Sequence, residues 1–76
     1  MNNHYAKLRW NCRRGMLELD LLLNTFLEKK YSTLSDQEKI LFERLLACED
    51  QDLYDWLVKK EMPDDAELLG IIKKIN

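Results

Sequence analysis

The sequence predicts an all-α fold, a single small bundle of about five short helices. Three observations carry that prediction. Apolar residues recur at helical spacing through most of the chain, and no extended run of Val, Ile and Thr alternates as a strand would. Ser35-Asp36-Gln37-Glu38 and Asp64-x-x-Glu67 read as capping boxes, in which the first side chain accepts from the N3 amide while the glutamate reaches back. Only two glycines and one proline are available to interrupt the helices.

The first helix is expected from about Asn3 to Arg13, with Tyr5, Leu8 and Cys12 on its inner side. Its basic residues, Lys7, Arg9 and Arg13 with Arg14 beyond, then fall on a face outside the core. Gly15 reads as the break, because glycine tolerates backbone angles that strain other residues. With Gly15 as N-cap, Glu18 stands at N3, where its carboxylate reaches back and meets the positive end of the helix dipole. Arg14 lies just outside that start. On spacing alone, the simplest reading is a helix-turn-helix corner with a surface Arg14–Glu18 pair worth about 0.5 kcal/mol.

Leu17 to Leu21 alternates like a strand, but Leu19, Leu22, Leu23, Phe26 and Leu27 make a better helical stripe, ending near Lys29-Lys30. The Ser35 box opens a third helix carrying Leu41, Phe42, Leu45 and Leu46 inward. Asp50 or Asp52 caps a short fourth helix with Leu53, Trp56 and Leu57 as core. Met62-Pro63 breaks the chain, and the Asp64 box opens a last helix with Leu68, Leu69, Ile72 and Ile75 as its stripe.

Seventy-six residues are expected to form one domain spanning 1–76, burying about 60% of the unfolded surface. That is too thin a core to enclose a substrate or a large cofactor. The net charge of −2 conceals an asymmetry: four basic residues and no acid precede Gly15, so the remainder carries −6. A positive N-terminal segment on an acidic body suits an acidic partner surface and disfavours nucleic acid. Cys12 and Cys48 form no C-x-x-C pair, and with His4 as the one further soft ligand they fall short of a zinc site. Both are expected as reduced thiols. No apolar run approaches the length of a membrane span, and the start Met-Asn-Asn-His-Tyr lacks a targeting pattern, so the bacterial cytoplasm is the expected location.

No catalytic constellation is visible, so an enzyme is not expected. His4 reads as a solvated residue near the terminus, Ser32 and Ser35 lack a partner base, and Cys12 fits the core better than a nucleophile's role. Glycine-rich phosphate cradles are absent. What remains is surface recognition around Gly15: Arg13 and Arg14 offer forked donors, Gly15 permits close approach, Met16 offers an adaptable apolar contact, and Glu18 and Asp20 complete the patch. Each has a structural alternative, with Arg13 a solvated charge, Met16 core and Asp20 a solvated helix residue. Trp10 reads as core or groove-lining.

Arg14-Gly15-x-x-Glu18, preceded by Trp10-x-Cys12-Arg13 and followed by Leu19-Asp20, resembles the signature of the succinate dehydrogenase assembly factors that promote flavin attachment, called SdhE in bacteria. Ser35-x-x-Glu38-Lys39, Leu45-Leu46-x-Cys48-x-Asp50-x-Asp52-Leu53-x-x-Trp56-Leu57 and Pro63-x-Asp65-Ala66-Glu67-Leu68 extend the resemblance over nearly the whole chain. It implies a factor that binds the flavoprotein subunit of succinate dehydrogenase, with fumarate reductase as a further candidate client, before that subunit joins its iron-sulfur partner. It also implies that the factor promotes covalent attachment of FAD to a histidine of the client and holds no cofactor stably itself. Whether it touches FAD is left open. The resemblance puts Arg14, Gly15 and Glu18 at the contact surface; Arg13, Met16 and Asp20 join by adjacency. A monomer with no nucleic-acid partner and no membrane insertion is expected. The alternatives are an antitoxin-type regulatory protein-binding module and a helical scaffold with no flavin link.

Overall fold

The computed structural model describes residues 3–76. Its helices are α1 (Asn3–Asn11), α2 (Leu17–Lys29), α3 (Asp36–Leu46), α4 (Asp50–Leu57) and α5 (Ala66–Ile75), with a short 3₁₀ turn at Tyr31–Thr33, and no strand occurs among the described residues. The all-α expectation holds. The apolar stripes explain the packing: Leu19, Leu23, Phe26 and Leu27 of α2 are buried and meet α1, α4 and α5, while Phe42, Leu45 and Leu46 of α3 lie against α5. Leu53 and Leu57 of α4 and Leu68, Ile71 and Ile72 of α5 close the core.

The α3 start behaves as the sequence requires. The Glu38 amide donates to the Ser35 hydroxyl at 3.1 Å, and the Ser35 amide donates to the Glu38 carboxylate at 2.9 Å. Two other starts are displaced by one residue or lose their side-chain cap. The N-cap of α5 is Asp65, not Asp64; its carboxylate accepts from the amides of Glu67 (2.9 Å) and Leu68 (3.2 Å). α4 begins after Glu49, whose side chain makes no cap bond; Asp50 is the first helical residue and is engaged elsewhere.

Other corrections concern burial and helix ends. α1 closes at Asn11, two residues before the expected Arg13, because the chain tightens there: the Arg13 amide donates to the Trp10 carbonyl at 3.1 Å, three residues back. Trp56 is only half-buried, packed against the core rim. Of the two roles expected of Trp10, core is excluded by its 71% exposure, whereas it does line a groove with Arg9 and Arg13. Tyr31 and Leu34, outside every predicted stripe, are core residues because the 3₁₀ turn folds them inward, where the Tyr31 ring meets Phe42 at 5.7 Å and Phe26 meets Phe42 at 5.3 Å. Ile71, rather than Leu69 or Ile75, shares the buried face of α5 with Leu68 and Ile72.

Candidate functional site

The corner between α1 and α2 is built from backbone geometry outward. Gly15 has φ +77°, a left-handed conformation that other L-residues adopt only with strain. A Cβ added there would have nothing within 4 Å, so glycine is favoured by its backbone angle rather than by crowding. The helix that follows has Met16 as N-cap, with no side-chain cap bond. Gly15 is therefore not the cap and Glu18 is not at N3; Glu18 lies one position earlier, exposed, with no hydrogen bond or ion pair among the described residues.

Asp20 does the work expected of Glu18. From the first turn of α2 its carboxylate turns back over the corner, accepting from the Arg14 amide at 2.7 Å and the Gly15 amide at 3.2 Å. A negative charge there also meets the positive end of the helix dipole. Asp20 is half-buried, so it is neither a free contact residue nor a solvated one.

Arg14 is not on the open surface. Its side chain is only 15% exposed and lies across the end of α3. Nε donates to the Asn11 carbonyl at 2.8 Å; Nη1 donates to the Cys48 carbonyl at 3.3 Å and the Asp50 carboxylate at 3.2 Å; Nη2 donates to the Leu46 carbonyl. A planar fork with several fixed donors suits this arrangement. The guanidinium satisfies carbonyls left open where α3 ends and places a positive charge at the negative end of that helix. The expected Arg14–Glu18 pair is replaced by Arg14–Asp50.

What stays accessible is a subset of the predicted patch. The Arg13 and Glu18 side chains are exposed and make no hydrogen bond or ion pair among the described residues, and the Gly15 backbone is exposed between them. Met16 is half-buried against the core. The six residues thus divide: Arg14 and Asp20 hold the corner, Met16 seats it, and Arg13, Gly15 and Glu18 face outward. Of the two readings left open for Trp10, the groove-lining one holds. The signal was available, since at 3.6 residues per turn Trp10 falls opposite the Tyr5–Leu8–Cys12 stripe.

Cys12 is fully buried, and desolvation pushes its thiol up to about 11 despite the nearby Arg14 and Arg9 charges, so it stays protonated at neutral pH. Burial also raises the Cys48 thiol, with the Asp52 charge adding to the effect. His4 lies on the surface 3.1 Å from Glu43, rather than simply solvated. No cluster of three or more metal-ligating side chains occurs among the described residues, and no helix is long and apolar enough to cross a membrane.

Comparison with known proteins fits this corner into a family. A family profile described as "Flavinator of succinate dehydrogenase" matches residues 6–76. The chain belongs to that family. It is 50% identical to the FAD assembly factor SdhE of Photorhabdus laumondii, covering 93% of this chain and 81% of that protein. The corresponding protein of Shewanella oneidensis is 47% identical, with 93% and 87% covered, and that of Coxiella burnetii 51%, with 92% and 85% covered. The family is one of assembly factors by name, and the segment with the R-G-x-x-E signature lies inside the matched span.

Proposed function

We propose that this protein is an assembly factor that binds the flavoprotein subunit of succinate dehydrogenase, with fumarate reductase a further client, and promotes covalent attachment of FAD to it. The observation that carries the reading is family membership along residues 6–76, including the whole corner. The geometry supports it in a specific way. A corner locked from behind by Arg14 and Asp20 presents Arg13, the Gly15 backbone and Glu18 in a fixed arrangement, which lowers the ordering cost of binding.

The factor acts as a monomer in the bacterial cytoplasm and without a resident cofactor. In this reading the attachment chemistry belongs to flavin and client, with Cys12 buried and His4 paired with Glu43 at the surface. Its contribution is to favour the client conformation in which the histidine and the flavin are aligned, and the size of that effect is limited by its differential affinity for that state. Release follows once that affinity is lost.

Covalent flavin fluorescence of the purified client subunit, followed over time with FAD and each variant, tests the reading. Wild type should accelerate attachment. Glu18→Gln should abolish most of the acceleration with an unchanged melting temperature, because Glu18 caps nothing, and Gly15→Arg should abolish it while retaining most of the helix content. Wild type without effect on the flavin signal would refute the proposal; retention of a toxin rather than a flavoprotein in a pull-down would favour the antitoxin-type reading.

A further inference from the structure

Trp10 is 71% exposed, although burying an indole is among the larger apolar gains open to a small domain. The fold does not use it: Leu8 and Cys12 supply the core contacts of α1 from the other side of the helix. On one flank Trp10 borders a recess shared with Glu43 and Asp50, and on the other its neighbours are positive. Ala6, Arg9, Trp10 and Arg13 follow i, i+3, i+4, i+7 spacing and, with Asn24 of α2, line a groove of about 370 Å³. The Arg13 side chain makes no hydrogen bond or ion pair among the described residues. Arg9 makes only a long contact, 3.6 Å, to Glu28, with both side chains more than half exposed, so exchange for another carboxylate costs little.

The α2 side of the groove is apolar at its margin. Leu17, Leu21, Asn24 and Glu28 lie on one helical face by i, i+4, i+7, i+11 spacing, and the two leucines are 76% and 59% exposed. An unburied tryptophan and two unburied leucines beside two arginines match the composition of binding hot spots, in which an aromatic anchor fills a pocket and arginine grips a carboxylate.

We propose that the α1–α2 groove is the docking surface for an acidic segment of the client flavoprotein. The Trp10 indole enters an apolar recess of that partner, and Arg9 and Arg13 hold its carboxylates from the α1 side of the groove. The charge points to an acidic protein surface: no acid precedes Gly15, whereas the rest of the chain carries −6 and repels a polyanion such as nucleic acid. This inference rests on the proposed function and names the chemistry of its contact, extending the interface along α1 beyond the R-G-x-x-E corner.

The test is calorimetric titration of the purified apo flavoprotein subunit with wild type, Trp10→Ala and Arg13→Glu. Each variant should bind roughly fivefold or more weakly than wild type, with helix content retained because both side chains are exposed. A smaller loss for either overturns the inference. Fluorotryptophan placed at Trp10 in a Trp56→Phe chain supplies an independent readout by fluorine NMR. Adding the subunit should shield the Trp10 signal from a soluble paramagnetic agent; an unshielded signal in the bound complex overturns the inference. Shielding by free FAD alone also overturns it, because the groove would then hold the phosphates of the cofactor. If wild type fails to bind the subunit, the proposed function falls and this inference with it; wild-type binding with unchanged variants removes this inference alone.

Discussion

The α3 start and the α1–α2 corner both fix the chain where it enters a helix, by opposite means. At α3, Ser35 and Glu38 exchange hydrogen bonds across three residues, and among the described residues the only distant partner is Lys74, which pairs with Glu38. At α2, the N-cap side chain contributes nothing, a carboxylate from within the helix secures the amides of the preceding corner, and a guanidinium reaches groups 32 to 36 positions along the chain. The first corner can form before the rest of the domain. The second depends on the assembled helices, because three of the four side-chain acceptors of Arg14 lie between the end of α3 and the start of α4. The binding surface proposed for the second corner therefore requires the folded protein.

Removing Arg14 should break this contrast most sharply. Arg14→Ala strands the carbonyls of Leu46 and Cys48 and the carboxylate of Asp50, and hydrogen bonds from charged groups contribute about 1.5–3 kcal/mol each before relaxation. The expected loss is about 2–3 kcal/mol, a drop in melting temperature of about 10–20 °C by circular dichroism for a domain of this size. Thiol labelling of the buried Cys12 should accelerate with it. Arg14→Lys should recover less than half, since an ammonium cannot serve the fork. An unchanged melting temperature for Arg14→Ala would mean that the corner is held without it.

The local corner should respond less. Ser35→Ala removes one cap bond, an expected loss of about 1 kcal/mol, and should leave client binding and flavin attachment unaltered because Ser35 lies far along the chain from the outward-facing residues. Impaired attachment at full helix content would show that the two corners are coupled.

The smallest effect concerns pH at the same box. The hydrogen bond from Lys74, then that from the Ser35 amide, holds the Glu38 carboxyl below its ordinary value of 4.5. With a lowered folded-state value, the stabilisation is present above pH 4.5 and is lost as pH falls through the folded value, because the unfolded chain takes up the proton first. In urea titrations, the difference between wild type and Glu38→Gln should be largest near neutrality and close as pH drops below 4.5. A difference independent of pH would assign the box to geometry alone.

Short-range relations were legible because helical geometry ties residues three and four apart to one face. The Ser35 box, the stripes of α2 and α3, the inward Cys12 and the left-handed Gly15 all belong to this class. Cap positions were legible only to within a residue: Asp64 and Asp65 are equally good caps in isolation, and packing of Leu68, Ile71 and Ile72 selects the phase that makes Asp65 the cap. The roles within Arg13 to Asp20 required the assembled chain. Two adjacent arginines have the same chemistry, yet Arg14 meets the carbonyl end of α3 and becomes a brace, while Arg13 remains free among the described residues. Likewise Glu18 and Asp20 are interchangeable as first-turn acids, but the path of the chain through Gly15 brings its backbone amides to Asp20. Sequence spacing sets which side chains share a helix face; whether a charge is used in the fold or offered to a partner depends on groups more than thirty residues away, which meet it only when the helices pack.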